Sequence, residues 1–209
     1  RVELQTAAED PVRRSTLRRA LLDRIQKTPG VSAASFSQLG VFTGSFSSRS
    51  IEVEGHAATA GQDVASTFDA VGPGYFTTLG VRLLQGRDIL DSDGLESPRV
   101  CVINEAFARR FFERRNPIGM RLTEIDDASA RTSYQIVGVA RDARTHNLRG
   151  DVEPRVFTAA TQRPSSVANP IFIVRSHTDV PVASAVRQAI QQVRADVPIT
   201  SARTAEERK

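Results

Sequence analysis

The stretch from Phe68 to Arg141 alternates short apolar runs with glycine and proline, and this punctuation constrains the fold more than any other feature. In Val71-Gly72-Pro73-Gly74-Tyr75-Phe76-Thr77-Thr78-Leu79-Gly80, proline sets the first turn of a short helix and Gly80 ends it. Val81 to Leu84 reads as a short strand, followed by a turn at Gly86 and Arg87. Val100-Cys101-Val102-Ile103 is a continuous apolar strand, and Asn104 suits the N-cap of the helix after it. Glu105 opens that helix, where the dipole favours a carboxylate. Within it Phe107/Phe111 and Ala108/Phe112 stand four apart, so aromatic packing holds it. Each buried Phe contributes roughly 1.5–3 kcal/mol. Asn116-Pro117-Ile118-Gly119 is a turn and Met120 to Thr123 a strand. A polar loop from Ile125 to Arg131 precedes the strand Ser133 to Ala140, where Gly138 points to close backbone approach.

The flanks carry the clearest helical periodicity. From Val12 to Lys27, Leu17, Leu21 and Ile25 recur every four residues, with Leu22 broadening the stripe. Arg13, Arg14, Arg18, Asp23 and Arg24 are placed largely outside it. Thr28-Pro29-Gly30 stops the helix, and Val31 to Gln38 follows as a strand. Near the other end, Val182, Val186, Ala189, Ile190 and Val193 trace a second stripe, and Ile199 begins a last strand. Between the flanks, Ile51 to Glu54, Val64 to Val71, Arg155 to Thr158 and Ile171 to Arg175 read as strands. The matched ends predict an α+β fold: two strand–helix–strand halves on one sheet, with the middle of the chain inserted between them. Gly40 to Ser50 is a Gly/Ser-rich loop whose Phe42 and Phe46 are candidates for gripping a partner, although such aromatics more often tuck back onto the body.

The same sequence is poor in chemistry. Its net charge is +4, and all but two of the 28 basic residues, Lys27 and Lys209, are Arg. The 24 acidic residues are interleaved with them, which describes a mixed-charge surface. An Arg-rich nucleic-acid-binding module, or another soluble adaptor, is the alternative reading, with Arg13, Arg14, Arg18 and Arg19 as its best face. Asp10 and Asp23 bracket that face, and a chain with no Trp and two Tyr offers little for base stacking. One Cys excludes an internal disulfide and any zinc site built on several cysteines. His56, His146 and His177 are scattered, without metal-ligand spacing. Asp91-Ser92-Asp93-Gly94 resembles a calcium loop, but Val102 stands where the twelfth-position Glu belongs. Gly72-Pro73-Gly74 starts like a dinucleotide fingerprint and has Thr77 in place of the third Gly. No enzymatic activity and no cofactor are expected. No apolar run approaches the ~20 residues that span a bilayer, and no leader peptide is evident, so the chain reads as a domain excised from a longer protein.

Taken in order, four of these segments resemble the signatures of MacB-like periplasmic core domains. They are Val71 to Gly80 with Leu84-Gln85-Gly86-Arg87, Val102 to Ala108, Asn116 to Gly119, and Ile136-Val137-Gly138-Val139. The branch most similar is the orphan permeases of the FtsX-like ABC-transporter family. That resemblance implies a porter-like subdomain from residues 1–87 and 151–209, with a small α/β subdomain inserted at 88–150. It implies a periplasmic position on a cytoplasmic-membrane protein, and no catalysis. By the same resemblance, an ATPase subunit or domain would act through transmembrane helices, a periplasmic adaptor or a second permease copy would be the candidates for further partners, and no nucleic acid is expected. The signature residues Gly72, Pro73, Tyr75, Phe76, Gly80 and Gly86 would then be structural. So would Arg87, Asn104, Glu105, Pro117, Gly119 and Gly138, with Arg87 expected to reach Glu105 or Asp88.

Overall fold

The computed structural model describes residues 2–5, 10–56, 64–113, 115–125, 130–144, 151–177, 182–196 and 198–202. Among these residues, four α-helices and an 11-stranded sheet make a mixed α+β fold. The strand–helix–strand unit β1 (Val2–Leu4), α1 (Pro11–Gln26), β2 (Val31–Ser37) forms one flank. Its counterpart is β10 (Ile171–Ser176), α4 (Ala183–Val193), β11 (Ile199–Ala202). Their strands interleave in the order β11-β1-β10-β2, every neighbouring pair antiparallel. This is the order of a split βαβ pair, which places both helices on one face. Leu21, Leu22 and Ile25 of α1 and Val186 and Ile190 of α4 meet Val2, Leu4, Phe36 and Phe172 of the strands in one apolar cluster.

Helix α1 departs from expectation on one point. Arg14 and Arg18 are buried, not on the solvent face, because they continue the stripe of Leu21, Leu22 and Ile25 towards the N-terminus. The long side chain of Arg18 covers apolar surface with its stem while its guanidinium donates to backbone carbonyls. A helix that buries Arg14 and Arg18 cannot present them to a polyanion.

Between the flanks, β3 (Ser48–Val53), β4 (Ala65–Val71), β6 (Val100–Asn104), β7 (Arg121–Ile125), β8 (Arg131–Ala140) and β9 (Arg155–Ala159) close into a ring. The pairings run β3–β4, β4–β9, β9–β6, β6–β8, β8–β7 and back to β3. Ile51, Phe68, Cys101, Ile103, Leu122, Tyr134, Ile136 and Val156, drawn from all six strands, share one cluster. Phe107, Phe111 and Phe112 of α3 (Glu105–Phe112) complete it. On the opposite face of β6 and β9, Val100, Val102 and Phe157 pack against Tyr75 and Phe76 of α2 (Tyr75–Leu79). Strand β5 (Leu83–Gly86) adds to the outer edge of β8.

Element ends moved by a few residues. Strand β3 starts in what reads as loop, because Ser48 to Ser50 pair with β4. Strand β8 begins at Arg131, whose neighbour is Ile125 of β7. Cys101 is fully buried, and burial pushes its thiol well above the ordinary range. A thiol reagent is therefore expected to leave native protein unmodified and to label it only as fast as it unfolds. Rapid labelling in native buffer would contradict this core.

Candidate functional site

Among the described residues, the side chains under the tightest constraint are those that fix one element against another. The first set lies at the edge of the sheet. Strand β1 pairs with β11 in antiparallel register, Val2 opposite Ala202, Glu3 opposite Ser201 and Leu4 opposite Ile199. The chain thus comes in through Val2 and goes out through Ala202 side by side.

The signature residues form a second set, distributed over the ring. Gly86 has φ +69°, and a Cβ there would sit 2.1 Å from the Val137 carbonyl oxygen. Its cross-strand partner Gly138 has the reciprocal constraint, with a Cβ falling 2.3 Å from the carbonyl oxygen of Arg87. Gly72 lies under the Phe36 ring, and Gly74 and Gly80 take the left-handed conformation at the two ends of α2. Helix α2 therefore starts after Gly74, with Pro73 before its cap. Arg175 of β10 donates through Nε to the Thr78 carbonyl at the far end of α2. Pro117 is buried, the turn it begins closes with the Met120 amide donating to the Pro117 carbonyl, and the Gly119 amide donates across to Ile136.

Arg87 reaches Asp88 as expected, though at its backbone carbonyl, and takes Asp93 as its ion-pair partner in place of Glu105. Its two terminal nitrogens donate to both oxygens of Asp93, at 2.8 and 2.9 Å, and the first also to the Asp88 carbonyl. Asp93 in turn accepts from the Leu90 amide, and its own carbonyl accepts from the Thr161 hydroxyl. The acidic loop after β5 is thus tied down by a bidentate ion pair, the strongest geometry an arginine can offer. Glu105 instead accepts from the Asp142 amide, while Asp142 accepts from the Ala106 amide and Arg109.

Asn104 does more than cap. Its oxygen accepts from the amides of Phe107 and Arg155, and its amide nitrogen donates to the Glu153 carbonyl. It fixes the start of α3 and the approach to β9 together. Asn104→Ala is expected to lower stability by about 2–4 kcal/mol, because it strands buried partners and removes a cap. Urea denaturation checks this, and an unchanged midpoint would contradict it.

A third set sits where the flanking strands meet the ring. The only Cα pairing between β2 and β4 is Ser37 with Val71. The Gln38 amide donates to Ala70 and the Gly72 amide to Phe36. Behind it, buried Asp69 accepts from the amides of Gln38 and Leu39. Burial raises the Asp69 carboxyl to about 7, against the pull of those amides, Arg155 and Ser37. Burial likewise raises the Tyr75 hydroxyl and lowers Arg155, each in the field of the other. Sequence reading passed over Asp69, Glu124 and Arg163 altogether. The one available signal was a charge inside an apolar strand, as in Phe68-Asp69-Ala70-Val71.

Phe42 is half-buried with φ 56°, whereas Phe46 is 75% exposed. His56 packs edge-on against Phe111, His177 is exposed, and His146 lies outside the described residues. Among the described residues no group of three His, Cys, Asp or Glu could hold a metal ion. A cavity between α2 and the ends of β6 and β8 has a volume of about 10 Å³, room for about one water. No described helix is long and apolar enough to cross a membrane.

Comparison with known proteins agrees with this architecture. Residues 3–203 match the family model of the MacB-like periplasmic core domain. The periplasmic region of MacB from Actinobacillus actinomycetemcomitans is 16% identical, with a TM-score of 0.57 over 93% of this chain and 82% of that one. The extracellular domain of the noncanonic ABC-type transporter YknZ from Gram-positive bacteria is 14% identical, with a TM-score of 0.56 over 96% and 99%. A domain of a permease protein from Porphyromonas gingivalis is 19% identical, with a TM-score of 0.52 over 81% and 68%. At these identities the structures speak for the fold. No curated protein matches the sequence significantly.

Proposed function

The chain belongs to the family of MacB-like periplasmic core domains, and from that premise we propose that it is a non-catalytic coupling module of an ABC-transporter permease. Lying outside the cytoplasmic membrane, it takes up motion driven by a nucleotide-binding ATPase and passes it to cargo, to a periplasmic adaptor or to a second permease copy. The observation that carries this reading is the pairing of β1 with β11, which brings the two ends of the domain together. Membrane helices continuing from both ends would meet the domain at one place, and a sheet joined directly to both would turn as they hinge. We further propose that the working division falls between the interleaved flanks and the six-stranded ring of residues 48–159. The split at 88 and 150 would cut across the pairings of β3 with β7 and β6 with β9.

The test is to loosen the attachment. Flexible Gly/Ser insertions between the membrane helices and β1 and β11 should uncouple the complete permease, abolishing transport while its partner still hydrolyses ATP. Undiminished transport with long flexible insertions on both sides would contradict the coupling role.

A further inference from the structure

The backbone pairing between β2 and β4 is one residue pair wide, a contact that taken alone would serve as a hinge. Arg175 of β10 also holds the Thr78 carbonyl of α2, and a further attachment lies in the segment that leaves β9 and runs to β10. Its short 3₁₀ turn, Ala160–Gln162, is followed by Arg163 to Pro170. On the ring side, Arg163 donates to the buried carboxylate of Glu124 at 2.6 Å and to the Tyr134 hydroxyl at 2.9 Å. Tyr134 donates to the same carboxylate oxygen, and Arg49 of β3 approaches its other oxygen at 3.3 Å. On the flank side, Arg18 of α1 donates to the carbonyls of Val167 at 2.7 Å and Pro164 at 3.2 Å. Val167 is itself fully buried in the cluster beneath the two helices.

We propose that residues 160–169 are a strut that locks the angle between the helix-bearing flank and the ring. Arg18 and Glu124 are its two anchors. Each end is held by a buried charged side chain. Arg18 is 2% exposed, and its guanidinium donates to the two carbonyls of the segment. It therefore depends on them. Glu124 is 3% exposed and holds three groups from three elements. Gln162 adds a tie to the loop before β6, accepting from the Val100 amide and donating to the Pro98 carbonyl. With the strut added to the β2–β4 pairing and the Arg175–Thr78 bond, rotation about any one of them alone is blocked. Motion entering through β1 and β11 then carries the ring with it. This last step rests on the coupling role proposed above, whereas the strut itself is a property of the isolated chain.

Distance measurement between spin labels tests it. Labels are placed at exposed Ala20 on α1 and exposed Arg121 on β7, while Cys101 stays buried and unlabelled. The otherwise unaltered chain should give one narrow distance distribution. Arg163→Gln, a change at a partly exposed anchor that leaves the Tyr134–Glu124 bond in place, should broaden it by at least about twofold or split it. Arg18→Met should do the same from the other end. The circular dichroism of each variant establishes that it remains folded. If Arg18→Met unfolds, Arg163→Gln decides alone. A folded Arg163→Gln with an unaltered distribution overturns the strut. That result leaves the coupling role standing, because loosened membrane attachments and transport test that separately.

Discussion

Gly138→Ala is expected to destabilise the protein by about 3 kcal/mol or more, and Gly86→Ala by at least as much. The two glycines face each other across β5 and β8, and a methyl group on either one collides with backbone. Backbone cannot swing aside as a side chain can, so the strands must part. Gly86 carries the added cost of φ +69°, a conformation that L side chains rarely adopt. Parting these strands also frees Arg87, whose amide donates to Val137 and whose guanidinium holds Asp93. Gly74→Ala and Gly119→Ala are useful comparisons. Each keeps a positive φ, but a Cβ there would meet nothing within 4 Å. Their cost should be about 1–2 kcal/mol, from strain alone. Denaturant midpoints that rank all four substitutions alike would contradict the close-approach account.

The second large effect is a dependence on pH. The Asp69 carboxyl titrates at about 7 in the folded chain, because it is buried, and near 3.9 when unfolded. Between those values the folded state holds a proton that the unfolded state has lost. The stability this group contributes is present in full below about pH 4, and it is lost as pH rises through about 7. Three pH units correspond to at most about 4 kcal/mol. Asp69→Asn retains a carbonyl oxygen for the Gln38 and Leu39 amides without the charge. Its stability should be nearly level across that window and should exceed the parent's at pH 8. Parallel pH profiles for the two proteins would contradict a buried, proton-holding Asp69.

What could be read from the chain beforehand, and what could not, follows from the range of the interactions. Helix α3 was legible because its determinants are local: an Asn104 cap that accepts from Phe107, and a Phe107–Phe111 pair with ring centroids 4.5 Å apart. The flanking units were legible for the same reason, each having an apolar stripe and a turn at its end. Gly138 announced a close approach, though only the register showed that Gly86 shares it. Arg18 was misplaced because a charge on a helical wheel suggests solvent. The carbonyls that receive it lie 146 and 149 residues away. Arg87 was assigned to nearby carboxylates, but Asp93 is the one the loop turns back towards it. The closure of β3 and β4 into a ring with β7 and β9 is set by pairing between distant strands, which no local pattern encodes. The buried carboxylates Asp69 and Glu124 share that origin: their burial comes from strands that meet only in the fold.

On the proposed coupling role, motion enters through β1 and β11 and moves the domain as one piece. It is tested most directly in the complete permease with its ATPase, by following a spin label at Ala20 and another at Arg121 against a fixed label in the membrane region. ATP binding should shift both distances in concert while the Ala20–Arg121 distance stays constant. Labels that stay still through the ATP cycle would contradict the claim.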